Sequence, residues 1–184
     1  MYTTKLLNLS DNVNRTFRVN TLSHFHTLRA FLPYMLTEGR GTIVTVSSVL
    51  GHIGAANLSA YTASKAALLA LHQSLRAELA QNPSAKDIKT ILVQPGHMST
   101  KMFAGVKSPN FLAPIVTPAE IGKEIIRLVE RGESGEVALP LYSRWIGFLG
   151  VLPSGIQQIV RKSSGLDTAV DKAGLVKKAT GEKR

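Results

Sequence analysis

The sequence predicts a parallel α/β sheet with helices on both faces, and three observations carry that prediction. Two short runs, Thr42–Ser47 and Ile88–Gln94, are rich in β-branched and aliphatic residues and lie between turn-forming residues, which suits buried parallel strands. Long segments with apolar residues three or four apart precede and separate them, the spacing of one helix face. A Thr-Pro-Ala-Glu start at Thr117 marks a third helix after the second strand, and helices alternating with buried strands pack as a parallel sheet between helix layers.

The elements follow in order. Ser10 and Asp11 are good N-cap types, and Val13, Phe17, Phe25, Leu28 and Leu32 then recur at helix spacing until Glu38-Gly39-Arg40-Gly41 breaks the pattern, so a helix is expected over 11–37, bending or ending near Pro33. The strand Thr42–Ser47 and a loop from Ser48 to Asn57 come next. Leu68, Leu71, Leu75 and Leu79 give a second long helix over 58–79, with an alanine-rich stretch of high helix propensity. Asn82-Pro83-Ser84 ends it, and Pro95-Gly96 stops the strand that begins at Ile88. Thr117 as cap, Pro118 at the first helical position and Glu120 at the third place a helix over 118–130, which Gly132 ends. Glu136–Leu141 fits a last strand. Beyond it Trp145, Phe148, Leu149, Leu152, Ile156, Ile159 and Val160 form an apolar set flanked by Arg144, Arg161 and Lys162. That set fits a pocket cover, a core element or a segment lying in a membrane surface; pocket cover with membrane contact is the favoured reading.

Composition bounds the rest. At 184 residues, 44% hydrophobic and 18% charged, the chain can bury one sizeable core. Residues 1–162 are read as the domain and 163–184 as a disordered basic tail. Cysteine is absent, which excludes disulfides, thiolate zinc sites and cysteine nucleophiles. No signal-like block opens the chain and no apolar run reaches the eighteen or so residues of a spanning helix. The net charge of +10 is uneven, since Tyr142–Arg184 holds eight Lys/Arg against three Asp/Glu. This tail lacks interleaved aromatics and any nucleic-acid module, so no nucleic-acid partner is expected. His24, His26, His52, His72 and His97 do not cluster with carboxylates, so no metal is expected, and only His97 is placed near a ligand.

The chemistry centres on Tyr61 and Lys65, four apart and therefore one turn above one another on a helix. Ser48 lies thirteen residues before Tyr61 at the end of a strand, where parallel α/β proteins present side chains to a ligand crevice. A free tyrosine has a pKa of about 10, and a cation one turn away is expected to lower it toward general acid/base use.

Val46-Ser47-Ser48-Val49 followed by Tyr61-Thr62-Ala63-Ser64-Lys65-Ala66-Ala67 resembles the active-site signature of short-chain dehydrogenases/reductases. Val19-Asn20 matches that family's active-site asparagine, and Pro95-Gly96-His97-Met98-Ser99-Thr100 its Pro-Gly-x-x-x-Thr loop beside the nicotinamide. The resemblance covers about residues 6–141. It is nearest the retinol- and steroid-type, membrane-associated branch, judged from Asn20-Thr21-Leu22-Ser23-His24-Phe25 and Leu75-Arg76-Ala77-Glu78-Leu79.

The resemblance implies a Rossmann-like doubly wound fold and NAD(P)-dependent interconversion of an alcohol and a ketone or aldehyde. Tyr61 then exchanges the proton, Ser48 hydrogen-bonds the reacting oxygen, Lys65 also holds the nicotinamide ribose and Asn20 positions a relay water. Asn20, Tyr61, Lys65, Pro95, Gly96 and Thr100 are the implied cofactor contacts. The apolar C-terminal region suggests a lipophilic substrate, and the branch suggests the cytoplasmic side of a membrane surface, endoplasmic reticulum or lipid droplet. The helices 11–37 and 58–79 resemble those through which family members dimerise, so a homodimer is expected.

The chain departs from the family where the cofactor's phosphates are held. Such a fold grips the pyrophosphate with a Gly-x-Gly-x-x-Gly turn between a strand and a helix. Only Gly39-Arg40-Gly41, which precedes a strand, and Gly51 to Gly54 in the active-site loop come near that pattern. The residue that chooses NAD or NADP is likewise not found; NADP is slightly favoured. Because the match begins inside a connecting loop, the N-terminal half of the fold is expected to be absent and Met1 to be an internal start. The rival expectation is therefore a truncated, non-catalytic fragment or pseudoenzyme with an interaction role, whose half-sheet exposes an edge and an apolar face.

Overall fold

The computed structural model describes residues 10–56, 58–99 and 114–164. Helix α1 (Ser10–Phe17), a π-helical turn (Arg18–Leu22) and helix α2 (Ser23–Glu38) run on from one another. The helix does not end at Pro33, which lies inside α2; it ends at Gly39, in left-handed backbone with φ 66°. A separate irregularity is the π turn. There Asn20 and Thr21 both bond Ser64 of a helix that follows, the Asn20 amide donating to its hydroxyl (3.1 Å) and the Thr21 hydroxyl to its carbonyl (3.0 Å). Such single π turns are frequent at functional sites.

Strand β1 (Arg40–Val46) leads through the active-site loop to helix α3 (Ser59–Ala80) and strand β2 (Asp87–Val93). β1 and β2 pair in parallel over their whole length, from Arg40 opposite Asp87 to Val46 opposite Val93. Helix α4 (Pro118–Arg131) crosses to strand β3 (Gly135–Val137), which pairs in parallel with β2, so the order is β1-β2-β3. The last strand is shorter than expected. Residues 138–140 still run beside the end of β2, where the Gly96 amide donates to the Leu139 carbonyl at 2.8 Å.

The two faces of β2 are covered by different helices, as expected. Thr45 bonds His72 of α3 at 2.9 Å, so Thr45 and its register partner Leu92 face α3. Ile91 and Val93 point the other way and join Val116, Ile121, Leu128 and Val137 in one core cluster with α4. β1 is an edge strand, and on the α4 side Val44 and Val46 remain 37% and 44% exposed. This is the open edge and uncovered apolar face anticipated for a half-sheet.

α4 begins as its sequence demands. The Thr117 side chain accepts from the Glu120 amide while Glu120 accepts from the Thr117 amide at 2.7 Å, a complete capping box. Gly132, at φ 63°, closes the other end. Thr117→Ala is expected to cost about 1 kcal/mol of stability, read as a lowered urea midpoint. An unchanged midpoint would show that the box is not stabilising.

After β3 the chain forms two short 3-10 segments, Leu141–Arg144 and Ile146–Val151, and helix α5 (Ser154–Ser164). α5 reaches into the first residues assigned to the basic tail, and the rest of that tail, 165–184, lies outside the described residues.

Candidate active site

β1 delivers two serines to the carboxyl end of the sheet. The Ser47 amide continues the ladder to the Val93 carbonyl (2.8 Å), and its hydroxyl donates to the Lys65 carbonyl (3.0 Å). Ser48 is buried and caps the 3-10 turn Val49–Gly51 by accepting from the Leu50 amide at 3.2 Å. Gly51 lets this turn press on α3, because a Cβ there would lie 2.7 Å from Leu69 Cδ1 and 3.0 Å from the Lys65 carbonyl oxygen. The Ser48 hydroxyl thereby reaches the Tyr61 phenol and hydrogen-bonds it.

Tyr61 and Lys65 share a face of α3, with Lys65 Nζ 5.9 Å from the Tyr61 ring centroid. The expected electrostatic effect is corrected by the structure. Burial raises the Tyr61 pKa above its ordinary value, and the Ser48 hydrogen bond offsets this only in part. Lys65 directs its ammonium to the Val46 carbonyl at 3.0 Å, and burial lowers its own pKa. Desolvation of the phenol is thus the dominant cause of the shift, and the Lys65 charge is not among its causes.

Asn20 joins this group through α3. Its amide donates to the Ser64 hydroxyl, which in turn donates to the Tyr61 carbonyl at 2.7 Å. Four residues on, His24 lies near enough to Lys65 that, after burial, the ammonium charge is the next cause of its lowered pKa. The sequence placed only His97 near a ligand, although the i,i+4 relation of His24 to Asn20 was a usable signal.

Pro95 and Gly96 arrive at the same end of the sheet, the Pro95 carbonyl accepting from the Val49 amide at 3.2 Å. Gly96 is crowded by the chain that follows β3: a Cβ would meet the Tyr142 hydroxyl at 2.5 Å and Pro140 Cδ at 2.9 Å. Thr100 lies outside the described residues. A second set that the sequence reading missed braces the loop. His52 hydrogen-bonds the buried Gln94 carboxamide, whose nitrogen donates to Glu136 at 3.3 Å.

The segment after β3 roofs the site. Ile146 packs with Ile53, Leu58 and Tyr61 on the cluster of Val49, Leu50 and Ala55, and a Cβ on Gly147 would touch His52. A cavity of about 210 Å³ between α2, β1 and α3 is lined by His24, Thr45, Leu68 and His72. The larger one, about 580 Å³, lies at the opposite, amino end of the strands against Arg40 and Asp87. Among the described residues no group of three or more His, Asp or Glu could hold a metal ion.

Burial lowers the pKa of His24, His72 and His97 below 6.5. The folded state thus favours the neutral rings while the unfolded chain protonates near 6.5. Their contribution to stability is present in full above that pH and is lost as pH falls through it toward the lower folded values. The urea midpoint is expected to drop between pH 8 and pH 5; a midpoint flat or rising over that window would refute it.

A family model described as short chain dehydrogenase matches residues 2–110. The uncharacterized oxidoreductase TDA5 of Saccharomyces cerevisiae is 37% identical over 158 residues, covering 85% of this chain and 48% of that protein. Human estradiol 17-beta-dehydrogenase 11 is 37% identical over 123 residues, 66% of this chain and 40% of its own. The chain thus spans about half or less of these relatives. A short chain dehydrogenase from Burkholderia cenocepacia J2315, solved in complex with NADP, superposes with a TM-score of 0.61 at 25% identity, covering 81% of this chain and 58% of the other.

Proposed function

The chain belongs to the short-chain dehydrogenase family, and from that premise we propose that it serves the NAD(P)-dependent interconversion of an alcohol and a ketone or aldehyde on a lipophilic substrate. The observation that carries the reading is the Ser48 hydroxyl bonded to the Tyr61 phenol, with Lys65 one turn further along the same helix. An oxygen placed against those two hydroxyls meets one group that positions it and one that exchanges a proton with it. Tyr61, whose pKa burial raises, gives its proton to the oxygen when a carbonyl is reduced; in the reverse direction it must first be deprotonated, and the phenolate then takes the alcohol's proton.

The residues present fit the nicotinamide end of a dinucleotide. Lys65 brings ammonium donors to the carboxyl end of β1, where open parallel sheets bind such ligands. Pro95 lies beside the 3-10 turn Val49–Gly51, whose Val49 amide it binds, and Asn20 is bonded to Ser64 on the helix that carries Tyr61 and Lys65. These residues, with Tyr61 and Thr100, would hold the cofactor, NADP being slightly favoured. The bound nicotinamide supplies or accepts the hydride. The glycine-rich pyrophosphate turn of that fold is not found among residues 1–184.

The lipophilic substrate is supported by the apolar roof over Tyr61 and by a relative named for estradiol. A second reading, an interaction role without turnover, is favoured by the open edge of β1 with Val44 and Val46 exposed. Nicotinamide absorbance during incubation with a steroid alcohol separates the two readings. Turnover that is abolished by Tyr61→Phe supports the enzyme, whereas no turnover by the unaltered chain would sink it and favour the interaction role.

A further inference from the structure

We propose that His52 is a positioning residue for the Ser48–Tyr61 pair: bonded to Gln94, and through it to Glu136, it holds the loop from which Ser48 reaches the phenol. The role rests on Tyr61 being the group that exchanges the proton. Ser48 caps the 3-10 turn Val49–Gly51, and that turn is tied at both ends by backbone. The Val49 amide donates to the Pro95 carbonyl at 3.2 Å and the His52 amide to the Val49 carbonyl at 3.0 Å. The His52 ring supplies a third tie, which is the only one made by a side chain of the turn's far end.

Hydrogen-bond chemistry fixes the direction of each bond in the line. A carboxylate only accepts, so the Gln94 carboxamide turns its nitrogen to Glu136 at 3.3 Å and its oxygen to His52. His52 Nε2 therefore carries the hydrogen and donates it. In the neutral ring Nδ1 is then the acceptor, and it faces the roof, where a Cβ on Gly147 would lie 3.4 Å from it. Gln94 itself cannot follow a moving loop. It is 5% exposed, it extends the central strand β2, and its own amide donates to the Val137 carbonyl at 2.8 Å.

A buried carboxamide needs a partner, so the plain alternative is a bond that serves stability alone. Its place in the chain argues for more. His52 lies four residues after Ser48 and one before Ile53, and Ile53 packs with Tyr61 on the cluster of Val49, Leu50 and Ala55. A loop released from Gln94 therefore shifts both the hydroxyl that bonds the phenol and the apolar wall beside it.

The test reads Tyr61 directly. The Ser48 hydrogen bond lowers the Tyr61 pKa against the larger effect of burial, so a displaced Ser48 leaves the phenol titrating higher. The full chain is labelled with carbon-13 at tyrosine Cζ. The Tyr61 signal, one of four tyrosines, is identified by its loss in Tyr61→Phe and followed as pH is raised. His52→Leu is expected to move the transition to higher pH, as Ser48→Ala does, and the double variant to move it no further than Ser48→Ala alone. His52→Gln, whose carboxamide nitrogen donates from a similar reach, is expected to leave it in place. In turnover of a steroid alcohol with NADP, His52→Leu is expected to lower kcat by about ten- to a hundredfold with KM little changed, because placement acts in the chemical step. Circular dichroism checks that each variant is folded, and His52→Asn, too short to reach Gln94, takes the place of His52→Leu where leucine unfolds the chain. A Tyr61 transition that neither variant moves, or that His52→Leu moves further on top of Ser48→Ala, would overturn the proposal. So would His52→Gln behaving as His52→Leu does. The titration needs no cofactor, so it decides the role of His52 even in a chain without turnover, a result that would sink the enzyme reading alone.

Discussion

Tyr61→Phe is expected to lower the rate of alcohol or carbonyl turnover by about 10²–10⁴-fold, the span that a positioned general acid/base contributes. The substitution removes one oxygen and leaves the ring, so packing with Ile53, Leu58 and Ile146 is kept. The Ser48 hydroxyl retains the Leu50 amide as a partner, so the loop is not left with an unsatisfied group. The loss therefore reads on the proton and not on the fold, which a matched thermal transition for both proteins would document. It should appear in kcat at saturating substrate more than in KM, because the proton moves in the chemical step. A variant that keeps more than about a fifth of the rate would remove Tyr61 from the role given to it here.

Ile91→Ala is expected to be among the most destabilising single truncations in the molecule, at about 2–5 kcal/mol. Ile91 has no exposed surface, sits in the central strand between β1 and β3, and belongs to the core cluster with Ile121 and Leu128 of α4. Removing three carbons there opens a cavity that neither strand can close, because each is held in register by its own ladder. Such a loss is a large share of the 5–15 kcal/mol typical of a domain. Val44→Ala, one strand away on the same face but 37% exposed, is expected to cost well under about 1 kcal/mol. Urea midpoints for the two variants decide the matter. Equal costs would mean that the α4 face of β1 is covered in solution by something that this chain's own residues do not supply.

Much of the fold was legible in local sequence. Thr42–Ser47 and Ile88–Gln94 anticipated β1 and β2 to within two residues, because a β-branched run between breakers leaves few alternatives. Thr117, Pro118 and Glu120 marked the start of α4, because a capping box is made within one turn. Tyr61 and Lys65 were placed on one face by spacing alone, and that is where they are.

What the sequence could not show depends on residues far apart in the chain. The π turn answers to Ser64, more than forty residues from Asn20, and Pro33 stays helical while the end is set at Gly39. His24 next to Lys65 and His52 on Gln94 are contacts across elements that no local pattern announces. The sign of the Tyr61 shift was misjudged for the same reason. A four-residue spacing reveals a nearby cation, but the desolvation that sets the direction is produced by a loop and a roof contributed by other segments. Local sequence determined which residues form helices, strands and caps, since those depend on neighbours along the chain. Tertiary structure alone decided burial, and with it the direction of the Tyr61 shift and the apolar surface left facing outward, because burial is set by whatever the rest of the chain packs against each group.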